Sequence, residues 1–248
     1  LNTILNVGIN SILLKSQKNL RKLFQNIHFQ LESNSIYALV GENGKGKTTL
    51  LKSTLNLLNK SIFEIDGTIK LFGIDMMKCD SKKLEDIRKN ECRYILQDAA
   101  DCFDPIKKIG YYFEDEQIDD QYFVELLDYF LLPKAELIVK NYPHELSVGM
   151  AQRLAIIWGL LAKPKLFLLD EPSSALDVSI ANLLSNKLKE VSITQNTSIL
   201  FISQDIDFAK NTASKIGMLS ENGIIEFEKK NFGNLLAPDL VDKKPFVE

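Results

Sequence analysis

The stretch that decides the fold is SIYALVGENGKGKTTLLKSTLNLL, Ser35 to Leu58. Its opening SIYALV is an apolar run that stops at Gly41, as a strand buried on both faces would. From Lys47 onward Leu50, Leu51, Leu55 and Leu58 recur at helical spacing, which predicts a helix over KTTLLKSTLNLL. Between them GENGKGKT, Gly41 to Thr48, fits G-x-x-x-x-G-K-[ST]. Glycine at 41, 44 and 46 lets the backbone curl closely enough for successive N–H groups to face phosphate oxygens. Lys47 is placed to neutralise the β- and γ-phosphates of a nucleotide, and the Thr48 hydroxyl to ligate Mg2+. The helix N-terminus adds partial positive charge. Glu42, Asn43, Lys45 and Thr49 complete the loop, with Lys45 facing solvent or touching a phosphate. A glycine-rich turn with a chance lysine is the bland alternative, and the flanking strand and helix argue against it.

The rest of the chain is compatible with such a site. Its 248 residues suit one large domain or two small ones. Apolar residues make up 45% and charged ones 25%, an ordinary globular composition. A net charge of −3 argues against nucleic-acid binding through a general basic field. The longest apolar run, LAIIWGLLA from Leu154 to Ala162, falls short of the ~20 residues of a spanning helix. The opening LNTILNVGINSILLK lacks the features of a signal peptide. Cys79, Cys92 and Cys102 show no C-x-x-C spacing and read as unpaired thiols.

Outward from the loop, FQNIHFQL alternates, putting Ile27, Phe29 and Leu31 on one face. GTIKLFGID reads as a strand pair or edge strand, and SKKLEDIRKNE as an exposed helix. DEQIDDQYFVELLDYFLL carries an amphipathic helix with Phe123, Leu126, Leu127 and Phe130 on one face, closed by Pro133. A second helix spans roughly Gly149 to Ala162 and ends before Pro164. KLFLLD and SILFIS return to buried strands, and IGMLSENGIIEF is a hairpin whose tight turn falls at Asn222-Gly223. Strands and helices alternating at both ends, with a helical insert between, predict an α/β sheet carrying a helical subdomain.

A phosphate loop needs a carboxylate at the tip of a neighbouring strand. KLFLLDEPSSALD supplies Asp170 for the Mg2+ shell and Glu171 beside it as general base toward an attacking water. HELSVGMAQRLAI places Ser147 and Gly149 just before a helix, a second anion-binding terminus.

Taken together, GENGKGKT, LQDAADCFDP, YPHELSVGMAQR and LLDEPSSALD resemble, in order, the motifs of ABC-type ATPases. The resemblance covers nearly the whole chain and is greatest to the ATP-binding subunits of dipeptide, oligopeptide and nickel importers. It implies one ABC ATPase domain over residues 1–248. The core is a P-loop NTPase (RecA-like) fold with an antiparallel β segment, over 1–97 and 163–248, and the helical subdomain spans about 98–162. It also implies ATP and Mg2+ as cofactors, with Gln97 joining Thr48 and Asp170 at the metal. Two subunits pair head to tail, so that Ser147, Gly149 and Met150 of one face the nucleotide of the other and Asp177 meets the partner. Transmembrane permease subunits dock on the helical insert at the cytoplasmic face of the membrane, with an extracytoplasmic substrate-binding protein acting indirectly.

The sequence departs from the family pattern in three places. Val148 stands at the first glycine of the usual L-S-G-G-[QM] signature; in an ordinary backbone the cost is small, in a left-handed one about 1–3 kcal/mol. KSQKNLRK, ahead of the loop, lacks the aromatic that stacks on adenine, and Phe24 lies too close to the following strand; Lys and Arg stems are the substitutes. Gln204 stands where the family has its switch histidine, at the tip of SILFISQDID. Its amide has similar reach but cannot become cationic, which predicts slow hydrolysis with nucleotide binding retained. A plain helix-entry role is the alternative for Gln204. Two other readings of the whole chain are a nucleotide-binding subunit of low turnover paired with a competent ATPase, and a soluble ABC ATPase of an enzyme complex. The tail ending LVDKKPFVE has no cysteine cluster and no sign of a regulatory domain.

Overall fold

The computed structural model describes residues 2–15, 20–42, 44–114, 119–220 and 222–236. Asn43, the middle half of the KSQKNLRK stretch (residues 16–19), the start of DEQIDDQ and the LVDKKPFVE tail lie outside them.

Strands β1 (Thr3–Lys15) and β2 (Leu20–Glu32) pair antiparallel. The first was not anticipated as a strand, yet Leu5, Val7 and Ile9 alternate in it with Asn6, Gly8 and Asn10. β3 (Ile36–Val40) leads into α1 (Lys47–Thr54). β4 (Phe63–Leu71) and β5 (Ile74–Asp75) form the expected pair, turning through Phe72 and Gly73 at φ 51° and 80°. Positive φ at both central residues gives the twist a tight hairpin needs. α2 (Ser81–Asn90) is capped by Asp80, and edge strand β6 (Cys92–Ile95) follows. Leu84 and Ile87 of α2 are buried, so this helix is amphipathic rather than simply exposed. A helical region then holds α3 (Asp120–Tyr129), α4 (Ala135–Ile138) and α5 (Val148–Leu161). β7 (Leu166–Asp170), α6 (Val178–Thr194), β8 (Ser198–Ser203), α7 (Ile206–Thr212), β9 (Lys215–Ser220) and β10 (Gly223–Glu228) complete the order.

Two sheets result, a four-stranded antiparallel one in the order β2-β1-β4-β5 and a six-stranded one in the order β10-β9-β3-β8-β7-β6. In the larger sheet only β10 runs antiparallel to its neighbour. Its central strands are apolar on both faces, as the unbroken runs required. Ile36, Ala38, Phe167, Leu169, Ile199 and Phe201 face a core shared with α3, α5 and α6. Tyr37, Leu39, Leu166, Leu168, Leu200 and Ile202 face a second core shared with α1, α2 and the antiparallel sheet. Covering both faces leaves the carboxyl ends of the strands as the place for polar chemistry. There Val40 pairs with Ser203, and Asp170 with Ile202.

Three boundaries differ from expectation. α1 stops at Thr54 instead of Leu58 because Asn56 adopts a left-handed backbone (φ 52°) and Arg88 caps the freed carbonyls of Leu55 and Asn56 at 2.9 and 2.6 Å. α3 ends at Tyr129, ahead of Pro133, where Leu131 turns left-handed (φ 54°). The β9–β10 turn closes one residue early: Gly223 already pairs with Ser220, whose hydroxyl accepts from the Asn222 N–H and donates to the Gly223 carbonyl.

Candidate functional site

The phosphate loop is shaped by one residue above all. Gly46 caps α1 in the left-handed region (φ 79°), where a β-carbon would stand 2.5 Å from the Phe24 ring. Phe24 is fully buried against this turn. Its ring supports the loop from behind, within strand β2. Gly46 carries no side chain to cap the helix. The first-turn N–H groups are directed by the backbone geometry of the loop.

Lys47 folds back over the loop. Its Nζ donates to the carbonyls of Gly41 (2.8 Å) and Glu42 (3.2 Å) and lies 3.4 Å from Glu171 Oε1. Both side chains of that ion pair are almost wholly buried, so the attraction is little screened. Lys45 is half-buried, 3.9 Å from the Glu42 carboxylate. Gly41 and Thr49 are half-buried, Glu42 and Gly44 exposed.

Glu171 follows Asp170, the last residue of β7, and its backbone turns left-handed (φ 50°) while its N–H donates to the Ile202 carbonyl at 3.0 Å. A non-glycine residue in that region carries strain that the surroundings must hold in place, a frequent property of reacting groups. Gln204 fixes the carboxylate itself. Its backbone N–H donates to Glu171 Oε2 at 3.0 Å and its side-chain amide to Oε1 at 3.1 Å. Asp205, not Gln204, caps α7, which speaks against a plain helix-entry role for Gln204. Asp170, 1% exposed, accepts from the Thr48 hydroxyl at 3.2 Å on one oxygen and from the Tyr94 hydroxyl at 3.1 Å on the other. Burial pushes the Asp170 carboxyl up, opposed by the Thr48 and Tyr94 hydrogen bonds. Burial and the adjacent Asp170 likewise raise the Tyr94 hydroxyl. Tyr94 was not foreseen. No motif marks it, and only the pairing of β6 with β7 brings it to Asp170.

The hydroxyl and carboxylate oxygens of Thr48 and Asp170 form a hard donor set that suits Mg2+. Among the described residues no group of three or more His, Cys, Asp or Glu could hold a metal. Gln97 is exposed, two residues past the end of β6. Beside the loop lies a cavity of about 590 Å³ whose walls include Arg21, Lys22, Phe24, Gln25, Lys45 and Asn222. Two of these lining residues are joined, the Gln25 amide donating to Asn222 Oδ1 at 3.0 Å.

The signature segment stands apart from this cluster. Ser147 caps α5, its Oγ accepting from the Met150 N–H at 3.2 Å. Val148 is helical and shows no positive φ, so the strain feared for a residue replacing glycine is absent; its side chain is 70% exposed. Gly149 packs on the turn after Glu171: a β-carbon there would stand 3.0 Å from the Ala175 carbonyl. Gln152, buried in the next turn of α5, reaches the Pro172 carbonyl at 3.4 Å. Asp177 is exposed and caps α6.

A phosphate loop at the carboxyl ends of a parallel sheet, with a buried Asp-Glu pair beside it, defines a P-loop ATPase. The more particular assignment follows from comparison. Residues 24–174, well over half the chain, match the model of the ABC transporter family. The chain is 30% identical over 242 residues to a dipeptide transport ATP-binding protein of Lactococcus lactis subsp. cremoris, covering 92% of this chain and 69% of that one. It is 32% identical over 211 residues to an oligopeptide transport ATP-binding protein of Bacillus subtilis, covering 81% and 59%. The chain thus spans roughly three-fifths to seven-tenths of the length of these relatives. A dimeric ATP-binding cassette in a post-hydrolysis state bound to ADP and Pi superposes with a TM-score of 0.79 at 19% identity, over 91% of this chain and 98% of that one. The chain belongs to the ABC transporter family.

Proposed function

We propose that the chain is an ATP-hydrolysing subunit that works as half of a pair and powers a peptide importer. Residues 1–97 and 163–248 form the nucleotide-binding core, and about 98–162 the helical subdomain that meets transmembrane permease subunits. It sits peripherally on the cytoplasmic face of the membrane, and a binding protein outside delivers the cargo. Among the described residues no helix is long and apolar enough to cross a membrane. The names of the relatives favour peptides over nickel complexes as cargo.

The observation that carries the reading is one connected cluster at the strand ends: buried Lys47, Asp170 and Glu171 with half-buried Thr48 and exposed Gln204 bonded to them. Lys47 exchanges its loop carbonyls and Glu171 for the β- and γ-phosphates, against backbone N–H groups of residues 44–49. Thr48 and Asp170 would hold Mg2+, with Gln97 as the further contact. The ion would supply positive charge against that developing as the γ-phosphate departs. Glu171, released from Lys47, takes a proton from the attacking water, while Gln204 keeps its carboxylate oriented. Ser147, Gly149 and Met150 of the partner close over the γ-phosphate, and Asp177 lies across the joint.

The test is direct: purified protein should bind MgATP and hydrolyse it, and should co-purify from membranes with a permease. Protein that binds no MgATP, or that associates only with soluble enzymes, sinks the reading. Val148 supports a second one, in which the chain turns ATP over weakly beside a more competent partner. Its exposed isopropyl group occupies the surface where a glycine would let a phosphate approach.

A further inference from the structure

We propose that Tyr94 is a positioning residue for the metal site, setting which oxygen of Asp170 faces Mg2+ and tying that choice to the strand that delivers Gln97. The proposal rests on the ATP-site reading above and adds to it a residue that none of the motifs contains.

The geometry is specific. Tyr94 lies on edge strand β6 with Leu168 as its partner on β7, so its side chain reaches forward along β7 to Asp170. The carboxylate is held on both sides, Oδ1 by the Thr48 hydroxyl and Oδ2 by the Tyr94 hydroxyl. These two bonds have different fates. Thr48 is itself a metal donor, so its hydroxyl turns from Asp170 to the ion when Mg2+ binds. The Tyr94 bond comes from the opposite side and persists, leaving Oδ1 as the oxygen presented to the metal shell. Partners of this kind, which orient a ligand without touching the ion, commonly change metal affinity by about 10- to 100-fold when removed.

The same bond has a mechanical side. Among the described residues β6 is the outermost strand of its sheet, paired with β7. Three residues after Tyr94 the chain reaches Gln97 and then enters the helical region. The Tyr94–Asp170 bond therefore pins the exit of β6 to the metal-binding carboxylate. Binding of Mg2+ is felt there directly, at the end of a strand paired on one side by β7.

The experiment compares wild type and Tyr94→Phe by titrating MgCl2 into protein with a fluorescent ATP analogue, and by repeating the nucleotide titration in EDTA. Phenylalanine keeps the ring packed, and melting in EDTA checks that the fold is retained. Tyr94→Phe should need about tenfold more Mg2+ for half of the metal-dependent binding gain. Metal-free nucleotide affinity should stay within about twofold, since the change acts only through Asp170. Adding Tyr94→Phe to Asp170→Asn should then shift the Mg2+ curve no further. Coincident Mg2+ curves for wild type and Tyr94→Phe overturn the proposal. So does an equal loss with and without metal, which would make Tyr94 a packing residue, or a full additional shift in the Asp170→Asn background. Wild-type protein that binds no nucleotide under either condition sinks the ATP-site reading as well, and so is told apart from failure of Tyr94 alone.

Discussion

Two helix N-termini in this molecule have the same potential use and are finished differently. That of α1 begins at Gly46, has no side-chain cap, and is backed by buried Phe24 and faced by the buried Lys47–Glu171 pair. That of α5 begins at Ser147, whose hydroxyl already occupies the Met150 N–H, and its next residue, Val148, is 70% exposed. Both termini offer partial positive charge to an anion. Only the first has the lysine, hydroxyl and carboxylates to finish a site within its own chain. The second is a surface, supported from below by the Gly149–Ala175 and Gln152–Pro172 contacts and open above. A chemically complete half and a sterically prepared half are what a site shared between two subunits requires.

The sharpest way to break this comparison is Glu171→Gln. If the first half holds the chemistry, steady-state ATP hydrolysis should fall by about 10²–10⁴ while ATP binding survives. A turnover assay that shows less than a tenfold loss would move the general base elsewhere. Lys47→Ala comes next. Losing a charge-assisted contact worth about 3 kcal/mol should weaken ATP binding by about 10² in a calorimetric titration, with no such effect from a lysine outside the loop. Gln204→Ala removes one of two donors to Glu171 and leaves the backbone N–H, so turnover should drop about tenfold with affinity nearly unchanged. Gln204→His should instead raise turnover several-fold, and a rate no higher than wild type would count against an impaired switch. The smallest effect belongs to the second half. Val148→Gly should cost about 0.5–1 kcal/mol of stability by loosening the first turn of α5, seen as a slightly lower melting temperature. It should also increase ATP-dependent association of two chains, read by light scattering. Unchanged association would mean that Val148 does not crowd the shared site.

The same contrast governs how much could be read from the sequence. The loop, Asp170, Glu171 and the buried strands were legible because each follows from a local pattern: an apolar run with no polar break, glycines at fixed offsets, a carboxylate where the run ends. The hold of Gln204 on Glu171 was half legible, since position implied proximity but not the two-point contact. What could not be read is where separate elements meet. Tyr94 reaches Asp170 only through the β6–β7 register. Phe24 supports Gly46 only because β2 crosses behind the loop. The early end of α1 depends on Arg88, 32 residues beyond Asn56. The overlooked β1 is another matter: the alternation of Leu5, Val7 and Ile9 with Asn6, Gly8 and Asn10 was there to be seen.

The contact between Phe24 and the missing side chain of Gly46 reaches beyond this one molecule. It makes the phosphate loop and a residue of strand β2, 22 positions upstream, a single inheritable unit. A loop of this sequence grafted into a relative with a different residue at position 24 would arrive without its backing. Drift at position 24 is constrained by the bare glycine it backs. In a library that varies both positions, survivors should keep glycine at 46, whose left-handed backbone disfavours any β-carbon whatever stands at 24, while position 24 is sorted by how well it fills the space behind the loop.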